Sequence, residues 1–113
     1  MSLHNRNLGE SGEELAVKFL RREKYKILGR NVRTTCEMDI VCEKEGVIVF
    51  VEVKTRAGTS FGLPREAVDA KRQARYRMGA AAYLKKYDLT GFRARFDVIE
   101  VTEEKIMHIK DAF

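Results

Sequence analysis

The strongest constraint on the fold comes from one short segment, Val47 to Val53, which is apolar apart from Glu52. A run of this length that is rich in valine and isoleucine is typical of a buried β-strand. A carboxylate inside such a strand is unfavourable unless a partner compensates its charge. The segment therefore predicts a central sheet, and it predicts that something in or near the sheet compensates Glu52.

A second β-like stretch, Glu37 to Glu43, precedes this run and predicts a hairpin. A two-residue loop at Glu45 and Gly46 is a common hairpin connection, because glycine adopts positive φ without strain. This loop would pair Lys44 with Val47, which sets the register of the two strands.

That register brings four charged residues together on one face of the hairpin. Asp39 would lie opposite Glu52, and Glu37 opposite Lys54. Two facing carboxylates repel, and a divalent cation between them is the simplest way to make their proximity favourable. The register therefore predicts a cation site at Asp39 and Glu52.

Spacing alone leaves two alternatives open. The acids could face solvent, with Glu37 and Lys54 as a cross-strand ion pair, and a slip of one residue would separate the acids. Apolar residues on both faces favour a buried hairpin, since solvated strands normally alternate cleanly. One face continues with Val41, Ile48 and Phe50, and the other is predicted to hold Met38, Ile40, Cys42, Val49, Val51 and Val53.

The segment before the hairpin predicts a helix. Ser11 and Glu14 have the spacing of a capping box, which would open a helix that runs to about Lys24. Glu13 lies in line with the apolar face of this helix. It would either point toward the hairpin site or simply favour the positive end of the helix dipole.

The other segments complete a mixed α/β pattern with one central sheet and helices on its faces. They predict a strand at Lys26 to Thr34 with a bulge at Gly29, a helix from Pro64 to about Tyr87, a strand at Phe92 to Val101 and a short edge strand at Lys105 to Ile109. On the second helix a stripe of mostly small residues is predicted to pack on the sheet: Ala67, Ala70, Lys71, Ala74, Met78 and Ala81.

Composition limits the class of protein. The 113 residues fit one domain, 1–113, with residues 1–8 expected to be disordered. Twenty-two Lys and Arg against 17 Asp and Glu give a net charge of +5, which favours a polyanionic partner. The spacing of Cys36 and Cys42 fits neither a zinc knuckle nor a disulfide framework. With no signal peptide or bilayer-spanning run, a soluble cytoplasmic protein that does not enter membranes is expected.

Several motifs resemble a known nuclease superfamily. Glu13, Asp39 and the Glu52-Val53-Lys54 tripeptide resemble the PD-(D/E)XK, or restriction-endonuclease-like, pattern, whose core has the order αβββαβ. More narrowly, the chain from about Gly12 to Val101 resembles the bacterial family UPF0102, also called YraN-like, which is similar in fold to archaeal Holliday junction resolvases. The segments that carry this resemblance are GEELAVKFL, GRNVR, EMDIV, VFVEVKTR, FGLPREAV and RFDVIEV.

The resemblance implies a metal-dependent mechanism. Asp39 and Glu52 would coordinate Mg²⁺ or Mn²⁺, with the carbonyl of Val53 as a further ligand and Glu13 as a direct or water-mediated one. Lys54 would orient and help deprotonate the attacking water and would offset charge on the phosphate. Oxygen ligands suit these hard cations, and a lysine among carboxylates supplies positive charge where negative charge develops.

The resemblance implies a metal-dependent DNA endonuclease, with branched or junction DNA as the candidate substrate. Arg56, Lys71, Arg72 and Arg75 are the candidate phosphate contacts, which position a substrate without reading its sequence. Resemblance to resolvases also suggests a homodimer. Two other functions remain open: a non-catalytic nucleic-acid-binding module with a nuclease fold, and a protein-interaction adaptor whose charged quartet is only a structural ion network.

Overall fold

A computed structural model describes residues 11–56, 68–103 and 105–113. Within these ranges the chain forms two helices and five strands around one sheet, which confirms the mixed α/β architecture. The elements are α1 Gly12–Arg22, β1 Lys26–Arg33, β2 Glu37–Lys44, β3 Val47–Thr55, α2 Ala70–Lys86, β4 Arg93–Val101 and β5 Ile106–Ile109. Residues 1–8, for which disorder is expected, lie outside the described residues.

The five strands follow each other in the sheet in the order β1-β2-β3-β4-β5. β3 and β4 are parallel, because α2 returns the chain across the sheet, and the other neighbours are antiparallel. α1 packs on one face with residues such as Ile40, Val49 and Val51. α2 packs on the other face, over a cluster that includes Val41 and Phe50. The hairpin is therefore covered on both faces, as its two apolar faces predict.

The predicted hairpin register is confirmed where the two strands pair. Lys44 pairs with Val47, and the ladder continues in this register to the pair Ile40 and Val51. Both turn residues have positive φ, with φ of 80° at Gly46. This conformation matches the right-handed twist of the strands on either side.

α1 begins as its capping residues predict. The Oγ atom of Ser11 accepts a hydrogen bond of 3.1 Å from the backbone amide of Glu14. The helix ends at Arg22, slightly before the expected Lys24. Its buried face, which contacts the sheet, consists of Leu15, Ala16, Val17 and Leu20.

A close contact fixes the start of α1 against the end of β3. A Cβ atom added to Gly12 would lie 2.2 Å from Oγ1 of Thr55, a distance at which one of the two residues must move. Glycine therefore allows the first turn of α1 to approach the last residue of β3. This contact brings Glu13 to the end of β3, where Glu52 and Lys54 lie.

α2 begins later than the sequence predicts. Its N-cap is Asp69, whose side chain accepts a 2.8 Å hydrogen bond from the amide of Arg72, so the helix starts at Ala70 and not at Pro64. Pro64 itself lies outside the described residues. A carboxylate at the N-cap satisfies a free helix amide, which proline could not do through its side chain.

The predicted packing face of α2 is wrong. The buried residues are Tyr76, Gly79, Ala80 and Tyr83, because two aromatic side chains remove far more apolar area from water than a stripe of alanines. The described members of the small-residue stripe are exposed, namely Ala70, Lys71, Ala74, Met78 and Ala81. Ala67 lies outside the described residues.

Met38 is also on the opposite face from the one predicted. It is buried under α2 with Val41 and Phe50, whereas Ile40 and Cys42 face α1. β2 leaves the ladder with β3 just before Ile40, and this break interrupts the simple alternation of faces. In β1, by contrast, the predicted irregularity at Gly29 is confirmed by a shift of register.

A buried polar network joins β4 to β5 on the α1 side of the sheet. Asp97 is fully buried and accepts hydrogen bonds from Arg95 at 2.8 Å and from the amide of Asp111 at 3.0 Å, and its carboxylate lies 2.6 Å from Nε2 of His108. Burial alone would raise the pKa of Asp97, but the hydrogen bonds from His108 and Arg95 hold this pKa below its ordinary value. The network therefore needs an ionised Asp97, which gives that residue a structural role.

No helix among the described residues is long and apolar enough to cross a bilayer.

Candidate active site

The predicted acidic residues lie close together near the end of β3. Burial raises the pKa of Asp39, and the neighbouring carboxylates Glu52 and Glu13 raise it further, to about 6. Glu13 reaches this region from α1, Asp39 from β2 and Glu52 from β3. Three elements therefore place three carboxylates in one electrostatic environment.

Asp39 is held where β2 and β3 separate. Its Oδ2 atom accepts a 2.8 Å hydrogen bond from the amide of Val53. The hydroxyl of Tyr76 fills the opening, since it accepts from the amide of Asp39 at 3.2 Å and donates to the carbonyl of Val51 at 3.4 Å. Side chains thus satisfy the backbone groups that a continuing ladder would have paired.

This opening corrects one detail of the predicted geometry. The register places Asp39 opposite Glu52 as the next ladder pair, but the ladder ends one pair earlier. The two acids therefore lie beside the opening and not across a regular ladder. The backbone of Val53 is in contact with Asp39 through its amide, and its carbonyl remains a predicted ligand.

Glu52 is buried and paired with Arg72. Only 4% of its surface is exposed. Nε of Arg72 lies 2.8 Å from Oε2 of Glu52, and Nη2 lies 3.2 Å from Oε1, so the guanidinium holds both carboxylate oxygens. This bidentate contact compensates the buried charge that the sequence of β3 requires to be compensated. Arg72, a predicted phosphate contact, is thus committed to Glu52.

Lys54 is half-buried, and its side chain makes no hydrogen bond or ion pair with another residue in the described ranges. The predicted position of Glu37 opposite Lys54 is wrong. Glu37 pairs with Arg33 of β1, with 3.7 Å between Nη1 and Oε2. β2 has already left β3 at this point, so its first residues can pair only with β1.

Glu100 is a buried acid next to Lys54 that the sequence analysis does not single out. It is fully buried in β4, in register with Lys54 of the parallel strand β3. Nη2 of Arg56 lies 3.3 Å from its Oε1 atom, whereas its Oε2 atom has no hydrogen-bond partner among the described residues. The signal was present, because Glu100 interrupts an apolar run just as Glu52 does. Arg56, another predicted phosphate contact, is therefore anchored on Glu100.

The two remaining predicted phosphate contacts, Lys71 and Arg75, are exposed on α2. Arg75 borders a polar cleft of about 410 Å³ beside the acids. Thr34 and Cys36 fix one wall of the cleft to α2, since their side chains contact the carbonyls of Gly79 at 2.9 Å and of Arg75 at 3.4 Å. The cleft is lined by Arg33, Thr35, Cys36, Glu37, Asp39, Arg72, Arg75 and Tyr76.

The donor atoms at this position fit a hard divalent cation. The ligands would all be oxygens, which Mg²⁺ and Mn²⁺ prefer. Oε1 of Glu13 is buried without a hydrogen-bond partner in the described part of the chain. This oxygen is therefore available to coordinate a cation. Among the described residues, however, no three acidic, histidine or cysteine side chains already form a metal-binding group. Arg72 already contacts both oxygens of Glu52 and would compete with a cation for them.

Comparison with known proteins gives a consistent family assignment. The model of a family described as "Uncharacterised protein family UPF0102" matches residues 12–101. A UPF0102 protein of Syntrophomonas wolfei is 47% identical over 114 residues, covering 96% of this chain and 99% of its own. One from Geobacter metallireducens is 46% identical, covering 100% and 97%, and one from Persephonella marina is 42% identical, covering 93% and 91%.

Proposed function

The chain belongs to the UPF0102 family, and we propose that it is a divalent-metal-dependent endonuclease that hydrolyses phosphodiester bonds of DNA, with branched or junction DNA as a preferred substrate. We propose also that its αβββαβ elements form a restriction-endonuclease-like core. The sheet with one helix on each face, and the acids near the end of β3, support this assignment.

One observation carries the proposal. Three carboxylates, Glu13, Asp39 and Glu52, come from three separate elements and share a site in which the pKa of Asp39 is raised to about 6. One oxygen of Glu13 is buried there with no hydrogen-bond partner among the described residues. Burying like charges together is destabilising in the free protein. An aspartate with a perturbed pKa beside an open cleft is more typical of a functional site than of a structural one.

The residues divide the chemistry among themselves. Asp39, Glu52 and Glu13, with the carbonyl of Val53, would hold the cation. A bound Mg²⁺ or Mn²⁺ supplies Lewis acidity, which lowers the pKa of water and neutralises phosphate charge. Lys54 orients the attacking water, helps to remove its proton and offsets the charge that develops on the phosphate.

Basic residues around the site bind the DNA backbone. Arg75 and Lys71 are exposed on α2, and Arg56 lies at the end of β3, only partly exposed, where Glu100 fixes its guanidinium. Contacts of this type position the scissile phosphate without selecting a base sequence. Preference for branched DNA would then come from the shape of the substrate.

The test is cleavage by the purified protein in Mn²⁺ or Mg²⁺ of a panel of linear, flapped, gapped and four-way DNAs. We expect cuts in at least one branched substrate, and no cuts with EDTA or with the Asp39→Asn variant. An intact panel under all conditions, from protein that binds DNA, would contradict the nuclease and favour the alternative below.

The ion pair between Arg72 and Glu52 favours a second candidate, a nucleic-acid-binding module without catalysis. In such a module Arg72 would permanently neutralise the buried acid, and the site would never take up a cation. Metal-independent DNA binding with no cleavage would identify it.

A further inference from the structure

The contact between Arg72 and Glu52 competes with metal binding, because the guanidinium and a cation would approach the same two buried oxygens and repel each other. We propose that Arg72 exchanges partners: it neutralises Glu52 in the metal-free protein and moves to a DNA phosphate in the adjacent cleft when Glu52 takes up a cation. This inference rests on the proposed function and assigns Arg72 the role of a positioning residue that couples metal binding to substrate binding.

The contact leaves little room for a cation at Glu52. The guanidinium approaches both carboxylate oxygens, at 2.8 and 3.2 Å. A cation placed on the same carboxylate would lie next to a positive guanidinium, and like charges at that distance repel strongly at a buried position. Metal and Arg72 therefore compete for Glu52.

Burial shows which partner can move. The side chain of Glu52 is 5% exposed, whereas that of Arg72 is 39% exposed. Glu52 cannot reach water and would be left as an uncompensated buried charge if it lost its partner. Arg72 lies in the first turn of α2 and can turn into the cleft without becoming buried.

The cleft offers Arg72 a suitable new position. Arg72 lines it together with Arg33 and Arg75, and its guanidinium lies 5.6 Å from the ring centroid of Tyr76. Arg33 is partly neutralised by Glu37, and Arg75 forms no ion pair within the described residues. A phosphate bound between Arg72 and Arg75 would be held by charge-assisted hydrogen bonds close to Asp39.

The exchange makes two binding events cooperative. When the cation replaces Arg72 at Glu52, it frees a guanidinium for phosphate, and when phosphate engages Arg72 it frees Glu52 for the cation. By linkage, each ligand must then strengthen the binding of the other by the same factor.

The first test is calorimetric titration of the metal-free protein with Mn²⁺ alone. The Arg72→Gln variant removes the competitor, and we expect it to bind Mn²⁺ about tenfold more tightly than the wild type, the size expected when a charge-assisted contact no longer has to be broken. Arg75→Gln is the matched control. It removes an equal charge from the same cleft without touching Glu52, and we expect it to change the affinity by less than about threefold.

The second test measures whether Arg72 contributes to DNA affinity only when Mn²⁺ is present. Binding of a fluorescent DNA duplex is followed by anisotropy in a Lys54→Ala background, with DNA integrity checked on a gel. Without metal, Arg72→Gln should hardly weaken binding, because Arg72 is held by Glu52. With Mn²⁺ it should weaken binding by about fivefold or more, whereas Arg75→Gln should weaken binding under both conditions.

If the Arg72→Gln variant does not fold, the Arg72→Lys variant is titrated with Mn²⁺ in its place. Lysine keeps the charge but cannot make the bidentate contact, so we expect a Mn²⁺ affinity between that of the wild type and that of Arg72→Gln.

Equal Mn²⁺ affinity in all these proteins would overturn the exchange and leave the nuclease proposal intact. Absence of Mn²⁺ binding in wild type and variants would overturn both. An intact exchange without DNA cleavage would overturn only the nuclease.

Discussion

The carboxylate of Asp39 has two opposing effects on the stability of the metal-free protein. The carboxylate replaces a missing ladder bond by accepting from the amide of Val53, and it does so beside two other acids in a site where burial raises its pKa to about 6. The hydrogen bond stabilises the opening of the hairpin, while the charge of Asp39 destabilises it. A bound cation would remove the conflict.

The raised pKa predicts how stability depends on pH. An aspartate in the unfolded chain titrates near pH 4, so between about pH 4 and 6 the folded protein holds more protons than the unfolded one, and the free energy of unfolding falls as the pH rises. Asp39→Asn keeps an acceptor for Val53 and removes this penalty. We expect the variant to be more stable than the wild type in EDTA at pH 8, by about 1–3 kcal/mol, and equally stable below pH 4. Urea unfolding at several pH values measures the difference, and a difference independent of pH would contradict the assignment.

We expect Glu52→Gln to change the stability in the opposite direction from Asp39→Asn. The carboxylate of Glu52 already has a bidentate partner in Arg72, so replacing it breaks a buried ion pair instead of relieving repulsion. We expect a loss of stability at pH 8 in EDTA, of about 1–3 kcal/mol. Two neighbouring acids should therefore give effects of opposite sign in the same unfolding measurement, and a gain in stability for Glu52→Gln would show that the pair with Arg72 is dispensable.

At the scale of elements, the site depends on how α1 meets β3. Gly12 permits the first turn of the helix to touch Thr55, and Glu13 follows directly. Changes at this contact should therefore act on the site through the position of the helix.

Gly12→Ala should disturb this contact. The added methyl group would overlap Oγ1 of Thr55, and we expect a loss of about 1–3 kcal/mol in the free energy of unfolding. Thr55→Ala removes the obstructing oxygen from an exposed residue and should be nearly neutral alone. The double variant should recover most of the loss, as a double-mutant cycle would show. Additive effects would mean that the two residues do not meet.

The sequence predicts these elements best where the cause is local. The cap at Ser11 and the turn at Gly46 depend on residues within one turn of the chain, and both are confirmed. The burial of α2 was not predicted correctly, because it depends on how Tyr76 and Tyr83 fill space over the sheet. The apolar periodicity of α2 alone could not rank large aromatic residues against small ones.

The same distinction applies to the site. Strand register predicts that Asp39 and Glu52 lie close together, and helix position leaves Glu13 either at the hairpin site or at the positive end of the helix dipole; both are short-range patterns. The partner of Glu52 is not predicted, because Arg72 belongs to a different element and its contact depends on tertiary packing. Tyr76 fills the opening beside Asp39, and a regular hairpin, which has no such opening, does not predict this contact.

For the whole molecule, the balance of charge favours an anionic partner. The buried acids Glu52, Asp97 and Glu100 each pair with an arginine, so these charges cancel internally. The net charge of +5 is therefore carried by other residues. A surface of this kind attracts polyanions over distances set by the ionic strength.

DNA binding should therefore weaken steeply with salt. The slope of log affinity against log salt should approach the number of phosphates neutralised, and Lys71→Gln should reduce it by about one. Lys85→Gln is the control, since Lys85 lies in the last turn of α2, about 21 Å from Lys71 along the helix axis, and it should leave the slope unchanged. A flat salt dependence would favour a protein-interaction adaptor.

Lys54→Ala tests the central claim most directly, through the rate of Mn²⁺-dependent DNA cleavage measured together with the melting temperature. Lys54 makes no ion pair with a described residue, so the melting temperature and the affinities for Mn²⁺ and DNA should hardly change. The cleavage rate should fall by roughly two orders of magnitude or more, as when a preorganised electrostatic group is removed. A Lys54→Ala protein that cleaves DNA at the wild-type rate would contradict the account.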